Sequence, residues 1–212
     1  MVAAVADSLE EGTHLLVQAG TGTGKSLGYL APALARIVER GEVIVVATAT
    51  LALQAQLAGS DIPAALDAVE HVAGQRPRAC VLKGRNNYAC LFRARDGSTE
   101  SGQGTLLGAA ELSESHESGS PSKLGVEVLM LREWVEEQLL AGGAGDRDEA
   151  PPHTAAAWQQ VSIPTRECPG VSRCPFGGDC FVERSRESAR TADLIVTNHA
   201  LVAINAMHGG TA

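Results

Sequence analysis

The chain has 212 residues, 44% of them apolar and 20% charged, with a formal net charge of −8. That is enough for one buried core, or a core with a small module beside it. No apolar run reaches the roughly 18 residues of a membrane span, and Met1-Val-Ala-Ala-Val-Ala-Asp7 lacks the basic start of a secretory signal. A cytoplasmic chain with no membrane partner is expected, where clustered cysteines point to metal chemistry before disulfides.

Val2, Val5, Ala6 and Leu9 recur at helical spacing and predict a short opening helix. His14-Leu-Leu-Val17 reads as a buried strand feeding a glycine-rich stretch. Beyond that stretch Leu27, Leu30, Leu34, Ile37 and Val38 form one apolar helical face. Pro32 is expected to kink that helix and Gly41 to end it. Val43-Ile-Val-Val-Ala47 has the length and continuity of a parallel strand buried on both faces. Thr48-Ala-Thr50 caps a helix over Leu51 to Leu57, and Ala79-Cys-Val-Leu82 is a further strand. Strands alternating with helices in this order predict an α/β fold.

The character changes at Asp96. From there to Lys123 the chain is Gly, Ser, Thr and Glu with almost no large apolar residue, which predicts a mobile insert. Leu124 to Leu140 reads as a helix, Ala141 to Pro152 as loop, Phe181 to Ala192 as a helix of mixed charge, and Asp193-Leu-Ile-Val-Thr197 as a last buried strand.

Charge is segregated along the chain. Residues 97–157 hold eleven acidic side chains and three basic ones, a balance of −8, so the remainder is neutral. Residues 76–95 carry Arg76, Arg78, Lys83, Arg85, Arg93 and Arg95 and no acid. A local basic strip of this kind suits phosphate contacts.

The stretch Ala19-Gly20-Thr21-Gly22-Thr23-Gly24-Lys25-Ser26 is a phosphate-binding loop pattern. A glycine turn between strand and helix lets successive N–H groups point at one anion, and the helix N-terminus adds partial positive charge. Lys25 supplies a point charge for the β- and γ-phosphates of ATP, and the Ser26 hydroxyl is placed to ligate Mg²⁺. Ala19 stands where the strict pattern has glycine. The loop alone does not distinguish kinase, GTPase, ATPase or helicase. Thr48, Thr50, Gln54 and Gln56 leave the end of the next strand and suit contacts to a single-stranded backbone. A threonine N-cap on a surface helix accounts for the threonines equally well.

The cysteines are spaced Cys90-(77)-Cys168-(5)-Cys174-(5)-Cys180. Iron–sulfur clusters need soft thiolates converging from loops. Structural zinc favours pairs two to four residues apart, and no such pair occurs. Prolines after Cys168 and Cys174, and Gly177-Gly178 before Cys180, supply the tight turns that aim sulfurs inward. The pattern favours an iron–sulfur cluster over zinc or unligated core cysteines. Cys80, inside an apolar strand, reads as a small buried hydrophobe.

The order AGTGTGKS, TATLALQAQL, KGRNNYAC, CPGVSRCPFGGDC and ADLIVTNHAL resembles the DinG/XPD family of superfamily 2 DNA helicases, in its bacterial DinG-like branch. The resemblance touches nearly the whole chain outside the acidic stretch. It implies a RecA-like motor domain, a parallel sheet present in part, interrupted by a [4Fe-4S] domain, with ATP and Mg²⁺ as cofactors and 5′→3′ movement on single-stranded or forked DNA. It carries Cys90, Cys168, Cys174 and Cys180 over as cluster ligands, and Lys25 and Ser26 as ATP and Mg²⁺ contacts. The implied division is motor domain at 1–82, iron–sulfur domain at 83–190 with a mobile acidic insert at about 97–157, and return to the motor at 191–212.

On this reading Lys83, Arg85, Arg93 and Arg95 form a basic rim that grips DNA. Tyr88 and Phe176 are candidate stacking platforms, with packing beside the cluster the plainer role for Tyr88. Arg184, Arg186 and Arg190, alternating with Glu183 and Glu187, read as a solvated helix face, and His199 as a structural residue at a strand end. ATP hydrolysis in this class needs an acidic pair at a strand end, and no apolar strand here ends in Asp-Glu. As an N-terminal fragment of a longer motor, the chain is expected to bind nucleotide weakly, hydrolyse little and expose an apolar sheet edge. Two other classes stay open: a non-motor iron–sulfur DNA-binding or redox-sensing module with a vestigial phosphate loop, and a nucleotide kinase with a zinc lid. The cysteine gaps and the acidic stretch disfavour the kinase.

Overall fold

The computed structural model describes residues 1–20, 22–95 and 122–207. The chain divides into two compact units, Met1–Lys83 with Arg186–Ala212, and Gly84–Ser185. The first part of the acidic stretch, residues 97–121, and Thr21 of the glycine loop lie outside the described residues.

The first unit is α/β. Its helices are α1 (Val2–Glu11), α2 (Lys25–Arg40), α3 (Leu51–Gln56), α4 (Ile62–Ala73) and, at the far end of the chain, α9 (His199–Met207). Its strands are β1 (Ile44–Thr48), β2 (Ala79–Val81) and β3 (Leu194–Asn198). The sheet order is β1-β3-β2, with both pairings parallel. Ile44 and Ala79 both sit opposite Leu194, so the strand latest in sequence is the centre of the sheet. Burial follows from that position: Leu194 and Val196 are sealed from solvent and pack with Leu30, Leu34 and Ile37 of α2, with Leu57, and with Ile62 and Leu66 of α4. Shortening any one of these leucines to alanine would remove about 2–5 kcal/mol.

The helix boundaries have local causes. Gly41 takes the left-handed conformation after α2 and returns its N–H to the Ile37 carbonyl. Thr50 caps α3, its hydroxyl accepting from Leu53 N–H. A π-helical turn over Leu57–Asp61 joins α3 to α4 and buries Leu57. Pro32 lies inside α2 and is itself buried.

Two sequence expectations fail in this unit. His14 to Val17 forms no strand, and Leu16 is 99% exposed. A strand exists only by ladder pairing, and this segment pairs with none of the three described strands. β1 is not buried on both faces either: Ile44 and Val46 pack on the core, whereas Val43 and Val45, which point to the opposite face, are exposed.

The second unit is built of helices and tight turns: α5 (Leu91–Arg95), α6 (Lys123–Leu140), α7 (Ala155–Val161) and the start of α8 (Phe181–Thr191). Tyr88, Leu91, Leu131, Trp134, Val135, Trp158, Val161 and Phe181 make its core. Ser122 caps α6 by accepting from Gly125 N–H, and Thr154 caps α7 by accepting from Ala157 N–H. Thr154 also donates its hydroxyl and its backbone N–H to the Glu127 carboxylate, fixing α6 against the start of α7 and holding that carboxyl below the usual range. The stretch read as a mobile acidic insert over about 97–157 is therefore folded from residue 122 onward. Glu133 and Glu137 are exposed on α6, whose inner face carries Leu131, Trp134 and Val135, and average composition hid that periodicity.

Candidate functional site: a glycine loop and a cysteine cavity

The glycine loop belongs to the first unit. Gly22 and Gly24 have φ of 75° and 73°, values that need glycine, and Gly24 is the N-cap of α2. Lys25 opens the helix and turns its ammonium back, donating from Nζ to the carbonyls of Ala19 at 3.1 Å and Gly20 at 2.6 Å. Thr23 Oγ1 donates to Gly20 O at 2.9 Å, closing the same turn. Ser26 is half-buried, and its hydroxyl is bonded to the Tyr29 phenol, which burial pushes above its ordinary value. The loop therefore holds a left-handed glycine pair, a lysine and a hydroxyl at the start of one sixteen-residue helix.

The side chains read as leaving the next strand for DNA do not do so. Gln54 is fully buried and its Nε2 donates to the carbonyls of Leu82 and Val196, both at 3.3 Å. Thr48 is buried and donates to Thr50 O at 3.0 Å. Both serve the sheet. Gln56 and Thr50 are exposed, Gln56 bonded to Asp61 and Thr50 serving as the α3 cap.

In the second unit Cys90, Cys168, Cys174 and Cys180 all line one cavity of about 20 Å³, the size of a water site. All four are free and half-buried. Cys90 is pinned at the start of α5, its N–H donating to Val161 O at 2.7 Å. Its thiol is pushed up by burial and by the nearby Cys180 and Cys168, against backbone N–H donors at Arg93 and Phe92 that pull it down. The other three ride on consecutive turns: Cys174 N–H to Gly170 O, Gly177 N–H to Cys174 O, Cys180 N–H to Gly177 O. Gly177 is required there, since a Cβ would lie 2.2 Å from Val171 O. Arg85 donates to Cys168 Sγ at 3.3 Å. In donor type and placement the four fit a thiolate-ligated cluster. As they stand, no three His, Cys, Asp or Glu side chains among the described residues are grouped closely enough to hold a metal ion. Cys80 lies apart, in β2 of the other unit, where burial raises its thiol.

The basic strip is mostly spent inside the fold. Arg76 pairs with Asp67 and Glu70, Arg78 with Asp193, Arg85 with Glu183 and Arg95 with Glu136. Lys83 is 6% exposed. Of the expected rim, Lys83 is buried and Arg85 and Arg95 are paired, which leaves Arg93. Tyr88 is buried and its hydroxyl bonds Ser185 Oγ at 2.7 Å, while Phe176 packs on the core under the Arg95 guanidinium. His199 begins α9. Sequence reading missed the pairing of Arg85 with a cysteine, and a polar cavity beside Trp158 that gathers Arg93, Arg147 and Arg166. Arg147 and Arg166 are scattered among acids in the sequence, and only the fold collects them.

The DEAD/DEAH box helicase family matches residues 2–76. The chain is similar to the ATP-dependent helicase DinG of Mycobacterium tuberculosis (strain H37Rv), 45% identical over 208 residues, which are 98% of this chain and 30% of that protein. It is similar to the ATP-dependent DNA helicase YoaA of Escherichia coli, 33% identical over 95% of this chain and 27% of that protein. The ATP-dependent DNA helicase DinG of Salmonella choleraesuis is 31% identical over the same shares. The chain thus spans about three tenths of the length of these relatives.

Proposed function

We propose that the chain, similar to the ATP-dependent helicases DinG and YoaA, supplies the nucleotide loop and the iron–sulfur module of an ATP-dependent DNA helicase that moves 5′→3′ on single-stranded or forked DNA. The observation that carries this is the single cavity lined by Cys90, Cys168, Cys174 and Cys180, in a chain that also presents the loop from Ala19 to Ser26.

In the first unit, Gly20 to Gly24 cradle the ATP phosphates with backbone N–H groups. Lys25 exchanges its two carbonyl bonds for phosphate oxygens, and Ser26 turns from Tyr29 to hold Mg²⁺. In the second unit, Cys90, Cys168, Cys174 and Cys180 would hold a [4Fe-4S] cluster, whose bonds would tie the start of α5 to the turns between Cys168 and Cys180. Behind these ligands, Arg85 donates to Cys168 Sγ and the N–H groups of Phe92 and Arg93 face Cys90, contacts that would orient both sulfurs.

Anaerobic purification tests the reading. Broad absorption near about 400 nm with about four iron and four sulfide per chain is the expected result, lost on Cys168→Ser. A colourless chain holding stoichiometric zinc overturns it.

A further inference from the structure

We propose that the cavity between α5, α7 and the turn over Thr165–Glu167 is a phosphate site that takes the backbone of single-stranded DNA. It measures about 420 Å³ and is lined by Asn86, Arg93, Arg147, Gln159, Ser162 and Arg166, with Glu167 its sole acid. Three guanidiniums face one carboxylate. That carboxylate is shared at long range, 3.6 Å from Arg93 and 3.6 Å from Arg166. Arg93 Nε is buried and has no hydrogen-bond partner among the described residues. Three guanidiniums sharing one carboxylate, one of them with a buried donor to spare, in a roomy polar recess, are the chemistry that recognises phosphate oxygens.

Arg147 is held in place for this role. Its Nε donates to His153 Nε2 at 3.2 Å and its guanidinium lies 5.6 Å from the Trp158 ring centroid. His153 Nδ1 in turn bonds Pro151 O at 2.7 Å. Trp158 is 2% exposed, its indole N–H bonded to Asn86 O, so it supports the arginine and offers no base a face. The recess reaches solvent at Asn86, Gln159 and Arg166, all exposed, so a polymer can pass its mouth. Contact through phosphates alone is independent of base sequence and steeply dependent on salt.

That the phosphate belongs to DNA rests on the helicase reading. The test is fluorescence anisotropy of labelled oligothymidylate with the 212-residue chain across a series of salt concentrations. It compares wild type, Arg166→Gln, Arg93→Gln and, as a charge control, Arg190→Gln. Arg166 is exposed on a turn, so its variant keeps the fold, and circular dichroism checks both. The expected result is a loss of about tenfold in affinity for Arg166→Gln and for Arg93→Gln. The salt slope falls by about one for each, equally on oligoadenylate, with Arg190→Gln unchanged. Wild-type affinity in both cavity variants overturns the site and leaves the helicase reading standing. Failure of the wild type to bind any oligonucleotide removes the DNA reading itself. Displacement of DNA by millimolar inorganic phosphate only in wild type supports a phosphate recess, and binding of inorganic phosphate without DNA overturns the assignment to a backbone.

Discussion

Arg85 and Cys168 are joined by a guanidinium-to-sulfur hydrogen bond of 3.3 Å, while the other arm of the same guanidinium reaches Glu183 at 3.4 Å. A donor behind a sulfur fixes its orientation and supports it as a metal ligand. Arg85→Met is expected to release iron to a chelator about tenfold more readily than wild type, the scale on which groups behind a metal ligand act. Arg85→Lys should restore part of the retention, since it keeps the charge and loses the fork. Iron content after timed chelation, read with the absorption spectrum, checks both. Equal retention in all three chains would leave Arg85 as a partner of Glu183 alone.

Asp193 ties the entrance of the sheet together. Its carboxylate accepts from the Arg78 backbone N–H at 2.8 Å and from the Arg78 guanidinium, which hold it below the usual carboxylate range. Its own N–H donates to Arg78 O, so β2 and β3 start from one clamp. A depressed carboxyl contributes stability that is present above its unfolded value, near 4, and is lost as pH falls through the folded one. Asp193→Asn should therefore cost on the order of 1 kcal/mol of stability at pH 7, seen as a lower Tm, and the gap to wild type should close as pH drops below about 4. Thermal melts across that range decide it, and a gap constant with pH would reject the clamp.

Gln54 marks where the sequence could be read and where it could not. Its neighbour Thr50 was legible as a helix cap, because capping is a local matter of one hydroxyl and an N–H three residues on. The destination of the Gln54 amide depends on Leu82 and Val196, 28 and 142 residues away, and no local pattern encodes that. The same division runs through both units. Helices α1, α2 and α6, and the apolar runs of β1, β2 and β3, follow from periodicity within each segment. That β3 lies between β1 and β2, and that Arg93, Arg147 and Arg166 meet, are products of long-range topology. The cysteine set stood out in sequence because thiol spacing is itself the signal, whereas the ion pairs that consume Arg76, Arg78, Arg85 and Arg95 could not be seen in a tally of charges.

From that burial a prediction follows for Gln54→Ala. It strips two sheet carbonyls of a donor and opens a void, so a loss of about 2–4 kcal/mol is expected. Chemical denaturation measures it. At temperatures where the variant is folded, its affinity for oligonucleotide should equal that of wild type. A folded variant with weakened DNA binding would return Gln54 to the contact role first read for it.

Lys25 sets the last prediction. Its ammonium donates to Ala19 O and Gly20 O, so nucleotide binding there would exchange two carbonyl bonds for phosphate oxygens. Lys25→Met removes a charge-assisted donor from the phosphates and also frees those two carbonyls. The net effect on MgATP affinity is then expected to be on the order of tenfold, smaller than the loss of a charged contact with no such compensation. Turnover should be slow in both chains. The described strands end at Thr48, Val81 and Asn198, and none of these ends carries the acidic pair that positions Mg²⁺ and the attacking water. Equilibrium binding of a fluorescent ATP analogue, run beside a phosphate-release assay, separates the two claims. Affinity unchanged by Lys25→Met would remove the loop from nucleotide binding, and brisk DNA-stimulated turnover by the 212-residue chain would mean that another carboxylate serves the metal.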